Sequence, residues 1–235
     1  MQQGQITYCG PAPLPGELWT AWNGDPWLIA ALVLAAAAGW RAPSRAAWLA
    51  GVAVLAVAFS SPLCALASAL FSARVLHHVL IVAVAAPLLA RGAGWQARAG
   101  GAAFLAHLGA VWLWHLPQPY AAALASVPVY WLMEITLLAS ALWLWSAMLH
   151  AARAGQAVAL SLGTLLQMGM LGALLTFARR PLYEAHFATT QPFGLTALAD
   201  QQLAGLMMWV PAALPYLGLA LWRLTGHLLP AGERA

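Results

Sequence analysis

Apolar runs of about twenty residues, broken by single arginines, acids and prolines, make up most of the chain. A helix needs roughly 20 mostly apolar residues to cross a bilayer. On that measure the pattern predicts helices over 20–40, 46–66, 70–90, 100–116, 128–149, 156–178 and 200–225. The run from Ala46 to Ala73 holds no charged residue, and the fourth and sixth helices are equally free of charge. The first is short, because Asp25 and Pro26 sit where it begins. The stretch 117–127, with Pro117, Gln118 and Pro119, reads as a loop carrying a surface helix, and 181–199 as the other long loop. Pro62, Pro87, Pro211 and Pro215 should bend their helices, which membrane helices tolerate where neighbours satisfy the freed carbonyls.

No repeat of fixed period and no linker interrupts the pattern. The expectation is therefore all-α: a polytopic transmembrane bundle of about seven helices. One integral membrane domain should span 1–235, with a short extracytoplasmic tail at 1–19 and a cytoplasmic tail at 229–235. No signal peptide is read at the N-terminus, so the first apolar segment should stay in the mature protein.

Composition agrees. The chain is 63% hydrophobic and 7% charged, whereas a soluble domain carries about 25% charged residues. The net charge of +4 comes from ten basic residues, all arginine and, apart from the pair Arg179–Arg180, scattered singly, so a nucleic-acid partner is not expected. With the N-terminus outside, inner loops hold Arg41, Arg45, Arg91, Arg98, Arg153, Arg223 and Arg234, and the outer side holds Arg74, Arg179 and Arg180. Positive residues favour the inner side, which predicts N-out and C-in. Of the tryptophans, Trp19, Trp22, Trp27, Trp40, Trp114 and Trp222 lie near predicted helix ends, as interfacial anchors do.

Several polar groups fall at membrane depth. His77 and His78 lie one to two turns below the outer end of the third helix, with Arg74 one turn above them. His115 ends the fourth helix, Glu134 lies about two turns into the fifth, and Asp200 opens the seventh. Met207 and Met208 follow Asp200 roughly 10–12 Å deeper. All share one leaflet. A buried ionisable group in a membrane points to function and to a partner. Glu134 can pair with Arg74, carry a proton, or orient a metal-binding histidine. Histidine and methionine together suit copper, with His77, His78, His115, Met207 and Met208 as ligand candidates. The bland alternatives are that Glu134 only locks the bundle through Arg74 and that the methionines only pack. Met168 and Met170 read as core filler. Adjacent helical residues point about 100° apart, so His77 and His78 are not expected to share one ion. His107 reads as a hydrogen-bonded core residue, and His150, His186 and His227 as interface or loop residues. Cys9 and Cys64 fall on the outer side, where they can pair, ligate copper or stay free.

Four segments resemble the polytopic CtaG family of bacterial cytochrome c oxidase assembly proteins: SSPLCALASALFSARVLHHVLIVAVAAPLLARG (60–92), WHLPQPYAAAL (114–124), LGALLTFARRPLYEAH (171–186) and LADQQLAGLMMWVP (198–211). The resemblance implies a multi-pass protein of the bacterial inner membrane that matures a haem–copper oxidase, with copper handled at the outer face and oxidase subunits as partners. The family's His-x-x-Gln-His in the third helix reads here Arg74, Val75, Leu76, His77 and His78, so only His78 carries over directly. Its His-x-x-Glu-His in the fifth helix leaves only Glu134, with Trp131 and Ile135 at the histidine positions. His115, Asp200, Gln201, Gly205, Met208 and Trp209 match as they stand. A site lacking three histidines must be weakened or rebuilt around His77, Met133 and Met208, and Arg74 places a fixed cation beside it.

Three functions remain open. The first is a copper-handling assembly factor, with His78, His77, His115, Met208 and Glu134 as metal ligands and Arg74, Asp200, Gln201 and Trp209 as a partner or structural polar cluster. The second is a metal-free scaffold or accessory subunit of the oxidase. The third is a small transporter, although the inverted repeat many transporters carry is not seen. Catalysis is not expected, because no nucleophile elbow, phosphate loop or HExxH motif occurs. Bis-histidine haem ligation by His78 and His115 also stays open.

Overall fold

Asp25 and Pro26 set the start of the first helix. The Asp25 carboxylate accepts from the Trp27 N–H at 2.9 Å, and Pro26 occupies the first helical position, where its missing N–H costs nothing. In the computed structural model, which describes residues 8–228, α1 accordingly runs Pro26–Ala38, shorter than the predicted 20–40. The first residues of the N-terminal tail, the predicted tail at 229–235 and the side chain of His227 lie outside the described residues. Among those described every regular element is a helix, with no strand.

Helix α2 (Arg45–Ser60) and α3 (Pro62–Ala69) form a pair bent by 50° at Ser61–Pro62, as the proline predicts. Next, α4 (Phe71–Val79), a π-helical segment (Leu80–Ala85) and α5 (Ala86–Ala93) join into one apolar helix, Phe71–Ala93. Then follow α6 (Gly100–His115), the surface helix α7 (Pro117–Ala125), α8 (Val127–Leu149) and α9 (Ala154–Thr176). The loop after α9 contains only two short 3₁₀ turns, Glu184–His186 and Gln191–Phe193. Helices α10 (Ala197–Trp209) and α11 (Ala213–Leu228) are separated by a break beside Pro211. Phe71–Ala93, Val127–Leu149, Ala154–Thr176 and Ala197–Gly226 are long and apolar enough to cross a membrane, and the bent pair α2–α3 makes up to five spans. The thirteen-residue α1 and sixteen-residue α6 bring the set near seven. The chain is a multi-pass membrane protein.

The π segment has an identifiable cause. The Ala86 N–H reaches back five residues to Ile81 O, so the next carbonyl, Val82, faces Pro87, which has no N–H to give. The Trp145 indole on α8 donates to that carbonyl at 2.8 Å. A neighbouring helix thus satisfies the group that proline frees.

Close packing of α9 on α10 needs glycine at two facing positions. A Cβ on Gly205 would stand 2.5 Å from Gly172 O, and one on Gly172 2.7 Å from Gly205 O. Small residues let membrane helices approach to backbone contact, and here the approach brings Met208 of α10 against α9. Trp19, Trp22, Trp27, Trp40 and Trp222 are exposed, as anchors should be. Trp114 departs from that expectation: it is buried, because its indole N–H has a partner in Thr136 Oγ1 at 2.9 Å. Met170, expected in the core, faces outward at 54% exposure.

Candidate functional site

The third predicted helix carries Arg74, His77 and His78 on α4, and all three side chains are buried. Opposite them α8 presents Glu134, also buried. Arg74 Nη1 lies 3.4 Å from Glu134 Oε1, His77 Nδ1 3.7 Å and His78 Nε2 3.4 Å from the same oxygen. One ligand atom from each of His77, His78 and Glu134 falls within 4.8 Å of the others. The two adjacent histidines were expected to diverge, and they nonetheless both come near one carboxylate oxygen. Their rings do splay, with centroids 5.7 Å apart and planes 58° apart, but Glu134 lies between the two directions and within reach of both.

The cluster is poorly satisfied. Arg74 Nε and Nη2, both ring nitrogens of His77, both of His78, and Glu134 Oε2 have no hydrogen-bond partner among the described residues. Arginine stays cationic in proteins, so Glu134 serves as its buried counter-charge. Such a pair is weak as a stabilising device, because desolvating both ions offsets their attraction. Arg74 also approaches the Tyr130 hydroxyl at 3.5 Å, and Tyr130, one turn before Glu134, donates to Cys9 Sγ at 3.5 Å. Cys9 is bonded to Cys64, which ties the N-terminal segment to α3. Phe59 stands edge-on to His77 with ring centroids 4.8 Å apart.

His78 also faces a second feature. It lines a cavity of about 20 Å³ together with His115, Met168 and Met208, walled otherwise by aliphatic side chains such as Val79, Val111 and Leu137. That volume admits a water-sized occupant. The His78 and His115 ring centroids are 6.1 Å apart. His115 Nδ1 is 2.7 Å from Val111 O, which makes Nδ1 the protonated nitrogen and leaves Nε2 with a lone pair.

The other predicted residues do different things. Asp200 accepts from the Phe71 N–H at 2.6 Å, from the Ser72 N–H at 3.2 Å and from the Ser72 hydroxyl, so it caps α4 from another helix. Gln201 accepts from the Leu182 N–H at 2.7 Å and donates to Leu175 O, which holds the loop after α9. Trp209 is partly exposed and packs edge-on to Phe177, away from these groups. His107 behaves as predicted, buried with Nδ1 3.0 Å from Ser140 Oγ. His186 lies in the loop after α9, as predicted, and is buried there. Its ring joins Tyr120 OH at 2.7 Å and Ala69 O at 3.2 Å, and burial pushes its pKa down to about 4.

Sequence reasoning passed over Met168 and Tyr130. Tyr130 stands one helical turn from Glu134, and Met168 one turn from Gly172, the glycine that admits α10. Both spacings were available, but neither has meaning until the opposing helix is known.

No curated protein and no solved structure matches the chain. The family of cytochrome c oxidase caa3 assembly factors (Caa3_CtaG) matches residues 27–101 and 99–227, and so covers α1 to α11 and every residue of the cluster and cavity. The chain belongs to that family.

Proposed function

We propose that this protein assists assembly of a cytochrome c oxidase by holding copper as cargo near the extracytoplasmic face of the bacterial inner membrane. The observation that carries the reading is His78, buried where the Glu134 cluster meets a cavity lined also by His115, Met168 and Met208. Imidazole suits copper, and the thioethers beside His78 suit its reduced form. The Cys9–Cys64 bond supports an oxidising compartment for this end of the bundle, in line with the arginine distribution. The cavity's size favours an ion over a haem macrocycle.

The test is copper content of the purified full-length chain, by equilibrium dialysis and metal analysis, alongside copper content of the oxidase in membranes lacking the protein. The reading expects copper on the wild-type chain, loss on His78→Ala, and copper-deficient oxidase in the deletion strain. A copper-replete oxidase in that strain would overturn it.

A metal-free docking role is the second reading. The Arg74–Glu134 contact favours it, because it joins α4 to α8 and sets a fixed cation beside any incoming metal. It expects the chain to co-purify with oxidase subunits and to keep doing so after His78→Ala.

A further inference from the structure

The cluster and the cavity share His78, but they differ in the ion each suits. On the Glu134 side a metal would sit beside Arg74, and all three neighbouring cationic or imidazole groups already point at one oxygen, Oε1. Arg74 and Glu134 together are neutral. Adding a divalent ion leaves twice the uncompensated charge of a monovalent ion in a setting with almost no water, and doubles the repulsion from Arg74. His78 also lines an ion-sized space whose other lining residues are His115, Met168, Met208 and aliphatic side chains. Thioether sulfur selects soft monovalent copper, and imidazole accepts it. His78 is only 5% exposed; its Nε2 has the 3.4 Å contact to Glu134 Oε1, and its Nδ1 has no hydrogen-bond partner among the described residues.

Given the copper-handling reading above, we infer that the ion is held in its monovalent state by His78, His115, Met168 and Met208, with the Arg74–Glu134 pair acting as a neutral wall and not as ligands. The site selects charge and softness together: it takes Cu(I) or Ag(I) and rejects Zn(II). Met168 is a ligand although its helix reads as packing. His115 is prepared for the role, since its Nδ1 proton is held by Val111 O and Nε2 is the nitrogen left to bind.

The experiment uses the purified full-length protein in detergent with Ag(I), a redox-inert monovalent probe that needs no reductant. The wild-type chain is expected to retain about one equivalent of Ag(I) after desalting, while Zn(II) at the same concentration is lost. Met168→Leu and Met208→Leu should each weaken Ag(I) binding by about tenfold, the scale on which loss of a metal-supporting group is felt. Leucine replaces methionine with little change in volume, and circular dichroism checks that each variant keeps its helices. Met170→Leu, outside the cavity, should change nothing. X-ray absorption at the silver edge supplies a measurement independent of the variants: sulfur and nitrogen neighbours are expected. The sulfur must come from methionine, because both cysteines are bonded to each other. A nitrogen- and oxygen-only shell, undiminished Ag(I) affinity in the double methionine variant, or Zn(II) held as tightly as Ag(I) would each overturn the inference. Ag(I) bound as described by a chain whose deletion leaves oxidase copper intact would overturn the proposed function and leave the monovalent site standing.

Discussion

Two buried carboxylates in the same half of the bundle have opposite surroundings. Asp200 receives three hydrogen bonds from Phe71 and Ser72, all from the start of α4, and has no ion-pair partner among the described residues. Glu134 receives one long contact from Arg74, stands near two histidines, and keeps Oε2 unpartnered. A membrane interior penalises both charges alike. Asp200 offsets the penalty through short hydrogen bonds that also start a helix. Glu134 offsets it through contacts of 3.4–3.7 Å with Arg74, His78 and His77, which are themselves incompletely satisfied. Saturation marks a residue that builds the fold, and spare valence marks one kept available for something else.

The largest effect should come from breaking the Arg74–Glu134 pair. Glu134→Gln leaves Arg74 buried without a counter-charge and should cost about 3–5 kcal/mol, read as a fall in Tm in detergent. Arg74→Met combined with Glu134→Gln should recover most of that loss, because both charges are then gone. Failure of the double variant to recover would mean that Glu134, like Asp200, is wired into the fold. Asp200→Asn comes next, at about 3 kcal/mol, since an amide turns a donor toward N–H groups that need acceptors. Asp200 has no ion-pair partner among the described residues, so no second substitution of a cation should rescue it.

The distinction extends to histidines and gives a pH dependence. His186 is buried and bonded to Tyr120, and burial holds its folded pKa at about 4, below the usual 6.5. The unfolded chain therefore binds a proton between pH 6.5 and 4 that the folded chain refuses. Stability from this residue is full above pH 6.5 and is lost as pH falls toward 4, by about 2 kcal/mol at pH 5. Thermal unfolding at pH 7 and 5, with His186→Gln as the reference, measures it. A variant that loses as much stability on acidification as the wild type would show that another group carries the effect.

The helices were legible in the sequence because lipid imposes a length and forbids charge: the clean runs from Ala46 and over 156–178 leave no other option. Asp25–Pro26 and Ser61–Pro62 marked a start and a bend by local chemistry alone. That Arg74, His78 and Glu134 lie at one level of the bundle was also legible, since rise per residue fixes it. What the sequence withheld was azimuth. Whether His77 and His78 meet one partner depends on where α8 puts Glu134, and whether Met168 is filler depends on a contact across Gly172 and Gly205. The polar role of Asp200 was visible, but its capping of a helix 129 residues away was not. Trp114 was misplaced for the same reason, since its partner Thr136 lies on another segment, and the burial of the loop residue His186 against Tyr120 was hidden likewise.

The smallest expected effect probes a saturated group that no ion or proton enters. Val82 O lost its helical donor to Pro87 and is satisfied by the Trp145 indole. Trp145→Phe keeps a large ring in contact with Tyr216, whose ring stacks on Trp145 at 4.7 Å, but removes the N–H. One buried carbonyl then stands unpaired, which should cost about 1–2 kcal/mol. Adding Pro87→Ala restores a backbone N–H five residues on, and the π turn can then close on itself or revert to α. The double variant should therefore regain most of the loss. If Trp145→Phe costs nothing, the carbonyl finds another donor in the bundle. A saturated contact would then be dispensable, and satisfaction alone would no longer separate groups that build the fold from groups that serve the site.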